Sequence, residues 1–299
     1  MGPDVVRIRM GVVGTGYWAD VVHAAGAVAH PDVDLVGVWG RDIDKATELA
    51  ERHGARAYAD FDELLDVVDV LTLAVPPQVQ AELAVRAADA GKHLLLEKPI
   101  ATDLAAAERM VEAADRNGVS TVVFFTYRFV PFSELWLDDV RTHDLRGGSA
   151  WWYTGHAAAD SPFANSPWRK QEGALWDVGP HALSLLLPAL GPVAAIAGAR
   201  GEGDLVHLVL THEGGATSTM ALSMTMPSAS ERVGVEVFDE HGWHTRPEHE
   251  RDADAAYLSA LGELLANVAA GETRHRCDIR FGRDVVDVLS RCQAVLDRG

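Results

Sequence analysis

In the first part of the chain, short and almost wholly apolar runs alternate with longer stretches whose apolar residues recur at helical spacing. Val6, Ile8, Met10 and Val12 alternate with Arg7, Arg9 and Gly11 before Gly14-Thr15-Gly16, the pattern of a strand entering a glycine turn that opens a helix. Residues 33–39, 70–75, 93–96 and 121–126 read as further strands. Between them the pattern predicts a helix over 43–53 stopped by Gly54 and a short one containing Leu64 and Leu65 behind an Asp60/Glu63 capping pair. It also predicts a helix over 79–90 stopped by Gly91, and an Ala-rich helix capped by Thr102 that runs to Gly118. Apolar strands alternating with helices predict a doubly wound parallel sheet covered on both faces, an α/β fold.

The pattern changes after Tyr127-Arg128-Phe129. A helix over 133–144, a strand over 148–154, a loop rich in Ala, Ser and Pro and a helix over 174–190 halted by Gly191-Pro192 come first. Strands over 193–199, 205–211, 217–226 and 232–238 then follow without helices between them, which predicts an α+β domain with a mainly antiparallel sheet. Two amphipathic helices close the chain, one marked by Tyr257, Leu261, Leu264, Leu265 and Val268, the other by Val285, Val288, Leu289, Cys292 and Leu296. The expected domains are 1–126 and 127–299.

A length of 299 residues suits two domains. A net charge of -18 argues against a nucleic-acid surface and an anionic membrane, leaving a small molecule as the expected partner. The only cysteines, Cys277 and Cys292, sit in no C-x-x-C spacing and read as buried thiols. No H-x-x-x-H spacing is present, so no metal is expected. No basic leader with an apolar core and no apolar run of ~18 residues occurs, which predicts a cytoplasmic protein with no membrane span.

The candidate chemistry lies at strand ends. Gly14, Gly16 and Ala19 match G-x-G-x-x-[GA], in which the glycines permit the turn and a close approach of backbone to a pyrophosphate. Thr15, Tyr17 and Trp18 complete that turn, and Pro76 ends the strand over 70–75. The second strand ends in Trp39-Gly40-Arg41-Asp42. NAD-type sites place a carboxylate there and NADP-type sites an arginine. Gly40 leaves room for a 2'-phosphate that Arg41 can grip, which favours NADP(H) over NAD(H), while Asp42 reaching the ribose is the alternative.

Glu97-Lys98-Pro99 ends the strand over 93–96, where doubly wound sheets bind ligands. A lysine beside an oxidised nicotinamide has its pKa lowered by like charge and can exchange a proton with a substrate hydroxyl; otherwise it is a solvated strand-end residue. In Asp177-Val178-Gly179-Pro180-His181 the i,i+4 spacing places carboxylate and imidazole on one helical face, suited to general acid-base work. The plainer reading is a helix-terminal acid and a core histidine. Trp151, Trp152 and Trp168 are candidate sugar-facing surfaces, and adjacent Trp151 and Trp152 on a strand must face opposite ways. Tyr127 and Arg128, at the domain crossover, are candidates for substrate contact or a hinge.

The ordered set G-T-G-Y-W, A-V-P-P, A-G-K-H-L-L-L-E-K-P, Y-R-F, P-W-R and G-A-L-W-D-V-G-P-H resembles the Gfo/Idh/MocA oxidoreductases over nearly the whole chain. The resemblance implies Lys98, Asp177 and His181 as the catalytic group, with hydride transfer between nicotinamide and a carbinol carbon of a sugar, polyol or related compound. It also implies a Rossmann first domain and a large open sheet in the second, used for substrate binding and for subunit contact in a homodimer or homotetramer. The last helix, about 281–297, is expected to pack back on the first domain. An NAD-using glycosidase without net redox turnover and a non-catalytic sensor are the alternatives. The chain departs from the pattern at Gln80, where relatives commonly carry a histidine, at the reduced glycine run Glu172-Gly173-Ala174, and in being shorter than most relatives.

Overall fold

A computed structural model describes residues 7–155, 157, 166–248 and 252–298. The Ala/Ser/Pro-rich loop expected before residue 166 and the first residues of the expected opening strand lie largely outside that range. The chain divides into two compact units, one running to Phe124 and resuming over Asp252–Arg283, the other covering Phe125–Arg251 and resuming at Asp284.

The first unit is built on a six-stranded parallel sheet, β1 (Ile8–Val13), β2 (Val33–Trp39), β3 (Arg56–Tyr58), β4 (Val70–Leu73), β5 (His93–Leu96) and β6 (Thr121–Val123), in the order β3-β2-β1-β4-β5-β6. This is the doubly wound order, reversing between β1 and β4. All of Val70, Leu71, Thr72 and Leu73 are fully buried, as a strand covered on both faces requires. The helices between strands are α1 (Ala25–Ala29), α2 (Ile43–His53), α3 (Phe61–Leu65), α4 (Pro77–Asp89) and α5 (Leu104–Asn117).

Three details differ from the sequence pattern. Helix α5 is capped by Asp103, whose Oδ1 accepts from the Ala106 amide at 2.8 Å, and not by Thr102. Strand β3 has only three residues, too few for a periodic signal. The first helix opens as a π-helical stretch, Ala19–Ala24, before α1. Helix α9 (Ala253–Ala270) belongs to this unit and is tied in by Tyr257, which is fully buried. A Cβ at Gly26 would lie 2.3 Å from the Tyr257 ring, so the glycine in α1 is what admits it.

The second unit carries a six-stranded sheet of β7 (Gly147–Tyr153), β8 (Val193–Arg200), β9 (Val206–His212), β10 (Thr217–Ser223), β11 (Arg232–Phe238) and β12 (Trp243–Thr245), ordered β12-β11-β7-β10-β9-β8. Only the β10/β7 pair is parallel. One face packs on the helices; along β9, Val206, Leu208, Leu210 and His212 point inward while the residues between them are exposed. Helix α6 (Pro131–Val140) begins two residues before and stops four residues short of the expected 133–144, since the chain turns at Thr142 and His143. The helix expected over 174–190 is two segments, α7 (Pro167–Asp177) and α8 (Gly179–Leu190), with α7 itself broken at Gly173 (φ 70°).

The last helix, α10 (Ile279–Leu296), begins in the first unit and has most of its length in the second, so the segment that returns to the first unit is Asp252–Arg283. Cys277 and Cys292 are both buried, and burial pushes the Cys292 thiol up to about 12. Among the described residues no helix is long and apolar enough to cross a membrane.

Candidate active site

At the C-terminal ends of β1 and β4 the strand order reverses and leaves a cradle of about 250 Å³. Gly14, Thr15, Gly16, Gly40, Arg41 and Pro76, six of the expected site residues, line it together with Trp39, Asp42, Lys45, Ala74, Val75 and Val79. Gly14 is held at φ 128° by its amide donating to the Trp39 carbonyl (2.8 Å), and a Cβ there would meet the Ala74 carbonyl oxygen at 2.4 Å. A Cβ at Gly16 meets nothing within 4 Å, so that position opens onto the cradle. The Asp20 amide donates to the Gly16 carbonyl at 3.1 Å, so the first helix starts directly behind the second glycine, where its N-terminal amides favour an anion.

Gly40 has a different reason to be small than the room it leaves for a phosphate. A Cβ there would lie 2.5 Å from the Thr15 methyl. The Asp42 carboxylate is engaged as the cap of α2: Oδ1 accepts from the amides of Asp44 (3.1 Å) and Lys45 (3.3 Å), and Oδ2 lies 3.8 Å from Lys45 Nζ. Open backbone, a helix start, Arg41 and Lys45 fit a phosphate-bearing dinucleotide.

Lys98 follows β5 on a segment held by buried polar groups. The fully buried Gln80 takes the Glu97 amide on Oε1 (2.8 Å), and its Nε2 donates to the carbonyls of Glu97 (2.7 Å), Pro99 (3.3 Å) and Ile100 (3.3 Å). The Glu97 carboxylate accepts from Trp18 Nε1 (2.7 Å) and from the Lys98 amide (3.1 Å), and lies 3.0 Å from Nε2 of the fully buried His23. His23 Nδ1 and the Tyr257 hydroxyl both reach Thr72 Oγ1, at 2.6 and 3.2 Å. Burial pushes the Tyr257 phenol up, so it stays neutral. Trp18 thus turns its indole to Glu97, whereas Tyr17 stands exposed.

In the second unit, Asp177 ends α7 and His181 lies in the first turn of α8. The break at Val178 replaces the continuous helix on which the i,i+4 argument rested. Asp177 Oδ2 accepts from Arg169 Nε at 3.0 Å, and the Arg169 guanidinium lies over the Trp168 ring at 4.7 Å. His181 is buried between the Trp152 ring, near-parallel at 5.9 Å, and the edge-on Tyr127 ring at 5.2 Å, which fix the plane of the imidazole. Trp152 is therefore the inward member of its pair, while Trp151 lies on the open face under Arg232 at 4.1 Å. Arg128 is buried and spans Glu134 (2.6 Å) and the Ser184 carbonyl (3.0 Å), a fold contact, which separates it from its neighbour Tyr127. Arg246 stacks on Tyr127 at 5.3 Å, and burial lowers its pKa.

Sequence reasoning missed His23, Thr72, Tyr257 and Arg246. Tyr257 lies 185 residues from its partner Thr72, beyond any local pattern. His23, seven residues past Gly16 on the first helix, had a signal only in facing the sheet that carries Glu97.

The profile of the oxidoreductase family with the NAD-binding Rossmann fold matches residues 8–125, and that of the GFO/IDH/MocA C-terminal domain matches residues 145–245. The chain belongs to the GFO/IDH/MocA family. Among its curated relatives is the dTDP-3,4-didehydro-2,6-dideoxy-alpha-D-glucose 3-reductase of Streptomyces antibioticus, 31% identical over 75% of this chain and 72% of that protein. Another is the scyllo-inositol 2-dehydrogenase (NADP(+)) of Bacillus subtilis, 34% identical over 43% of this chain and 40% of that protein. Several other curated relatives are matched over only part of their length, from 34% to 57%. A solved structure, GenD2 from gentamicin A biosynthesis in complex with NAD, is 25% identical with a TM-score of 0.82, covering 97% of this chain and 94% of that one.

Proposed function

We propose that this family member is a nicotinamide-dependent oxidoreductase acting on a carbinol or carbonyl carbon of a sugar, polyol or related hydroxy compound, with NADP(H) preferred over NAD(H). The cradle carries the reading: glycine backbone, a helix start and Arg41 converge where the sheet order reverses, while Asp42 is already engaged by α2. Arg41, backed by Lys45, takes the 2'-phosphate, and the backbone around Gly14–Gly16 takes the pyrophosphate. The bound nicotinamide supplies or accepts the hydride. The named relatives, an inositol dehydrogenase using NADP(+) and a deoxysugar reductase, support both the cofactor class and the substrate class.

Lys98, Asp177 and His181 are assigned to the reaction. For oxidation, His181 removes the hydroxyl proton, and Lys98 donates a hydrogen bond to the same oxygen as it becomes a carbonyl; in reduction the roles reverse. The aromatic clamp on His181 supports its part, since a fixed imidazole plane keeps proton transfer in line. Gln80 is a positioning residue, because it holds the backbone from which Lys98 projects. Asp177, held by Arg169, orients a substrate hydroxyl. The open sheet face around Trp151 and Arg232 is assigned to subunit contact in a homodimer or homotetramer.

Titration with NADPH and NADH, followed by quenching of tryptophan fluorescence, tests the cofactor assignment. NADPH binds the wild type more tightly, and Arg41→Ala weakens NADPH by roughly 10–100-fold, as for loss of charge-assisted hydrogen bonds, with NADH little changed. Equal loss for both cofactors would overturn the assignment of Arg41 to the 2'-phosphate.

A further inference from the structure

The sequence has no H-x-x-x-H spacing, yet the fold of the second unit gathers ligand-type side chains far from the Asp177/His181 stretch in the chain. Asp139 and His143 lie one turn apart where α6 ends, and His244 sits on the edge strand β12. One donor atom from each lies within 4.8 Å of the others. The two imidazole rings are tilted by 55° with centroids 4.3 Å apart.

Asp239, in the turn between β11 and β12, organises the pair. It is buried, and its Oδ1 accepts from the amides of His241 (2.6 Å) and Gly242 (3.1 Å). Its Oδ2 meets His143 Nδ1 at 2.8 Å and His244 Nε2 at 3.1 Å. An imidazole that donates from one nitrogen to a carboxylate carries its lone pair on the other, so with both rings donating to Asp239 an ion would take Nε2 of His143 and Nδ1 of His244. A carboxylate behind each imidazole is how metal-binding histidines are oriented and made more basic. Hydrogen bonding within the turn needs only Asp239; it leaves unexplained why a third group, Asp139, stands beside the two rings.

We infer that Asp139, His143 and His244 form a site for a divalent transition metal ion of the zinc class, with Asp239 orienting both imidazoles. Two imidazole nitrogens and one carboxylate oxygen are a three-ligand set for Zn²⁺, with water completing the tetrahedron. The C-terminal end of α6 adds negative partial charge beside the cation. The ion ties the end of α6 to a three-residue edge strand that pairs only with β11. The inference is independent of the nicotinamide reading.

The test is calorimetric titration of the full chain, stripped with chelator, using zinc chloride. One zinc binds per chain, and the ion raises the melting temperature. His143→Gln and His244→Gln each abolish this binding and leave the NADPH titration unchanged, and Asp239→Asn weakens it by roughly 10–100-fold. Histidine ¹⁵N spectra of the wild type serve if a variant misfolds: zinc must shift the resonances of both His143 and His244. Absence of saturable binding at millimolar zinc, undiminished binding in the double variant, or spectra in which those two imidazoles do not move would each overturn the site.

Discussion

Along β4 of the first sheet every residue is buried, whereas along β9 of the second burial alternates with exposure. The first sheet has no free face, so its chemistry is confined to strand ends. The site proposed there is built of backbone, at Gly14 and Gly16, and a buried polar network fixing the segment that bears Lys98. The second sheet keeps one face open and presents the other to α7 and α8, and its chemical groups stand on those helices, packed against an inward tryptophan. The two architectures solve one problem, holding a polar group still, by hydrogen bonds beneath Lys98 in one unit and, at His181, by aromatic packing in the other.

That contrast can be broken at several points. Lys98→Ala should give the largest effect, a fall in kcat of roughly 10²–10⁴-fold with the circular dichroism spectrum unchanged, measured on whichever sugar or polyol supports turnover. Next comes the two-faced strand β7: Trp152→Ala should cost about 3–5 kcal/mol in urea unfolding, since it empties a fully packed site beside His181. Trp151→Ala should cost about 1 kcal/mol, as it removes a part-exposed ring that packs on Arg232 and over Gly234 on the open face. Equal losses would mean that both faces are covered.

Gln80→Leu should cost about 1–3 kcal/mol by leaving the Glu97 amide and carbonyl unsatisfied. It should lower kcat more than it weakens NADPH binding, and restoring an amide with Gln80→Asn should recover part of the rate. A loss of stability with kcat intact would reduce Gln80 to a fold contact.

The smallest effect is expected where the segment carrying α9 turns back. Burial opposes the charge of Glu263, but hydrogen bonds from His275 and Arg276 outweigh it and lower its pKa to about 2. The folded pKa is depressed, so the stability it contributes is present above the unfolded value near 4.5 and is lost as pH falls toward about 2. Glu263→Gln should lower the melting temperature near neutrality, where that contribution is fully present, and flatten its dependence on pH between about 4.5 and 2.

Much of this was legible residue by residue. The apolar runs ending at Val13 and Val75 located the strands, although β4 stops at Leu73, and the glycine spacing located the cradle, because a turn that needs φ of 128° leaves only glycine. The capping of α5 was misread by one residue, since Thr102 and Asp103 are both cap formers and only backbone geometry chooses between them. The break at Val178 was invisible because α7 and α8 abut with one residue between them, and the periodicity runs nearly through. Gln80 was visible only as a departure from a family pattern.

What the sequence determined by itself is local: periodicity set the strands and helices, and a few glycines set the turn at the end of β1, because steric limits on one residue act without help from distant ones. The tertiary structure alone decided which polar groups meet. His23, Thr72, Glu97 and Tyr257, and likewise Asp139, His143, Asp239 and His244, are brought together from separate elements by packing. Hydrogen bonds reach only about 3 Å, and no pattern along one strand or helix records what another places within that distance.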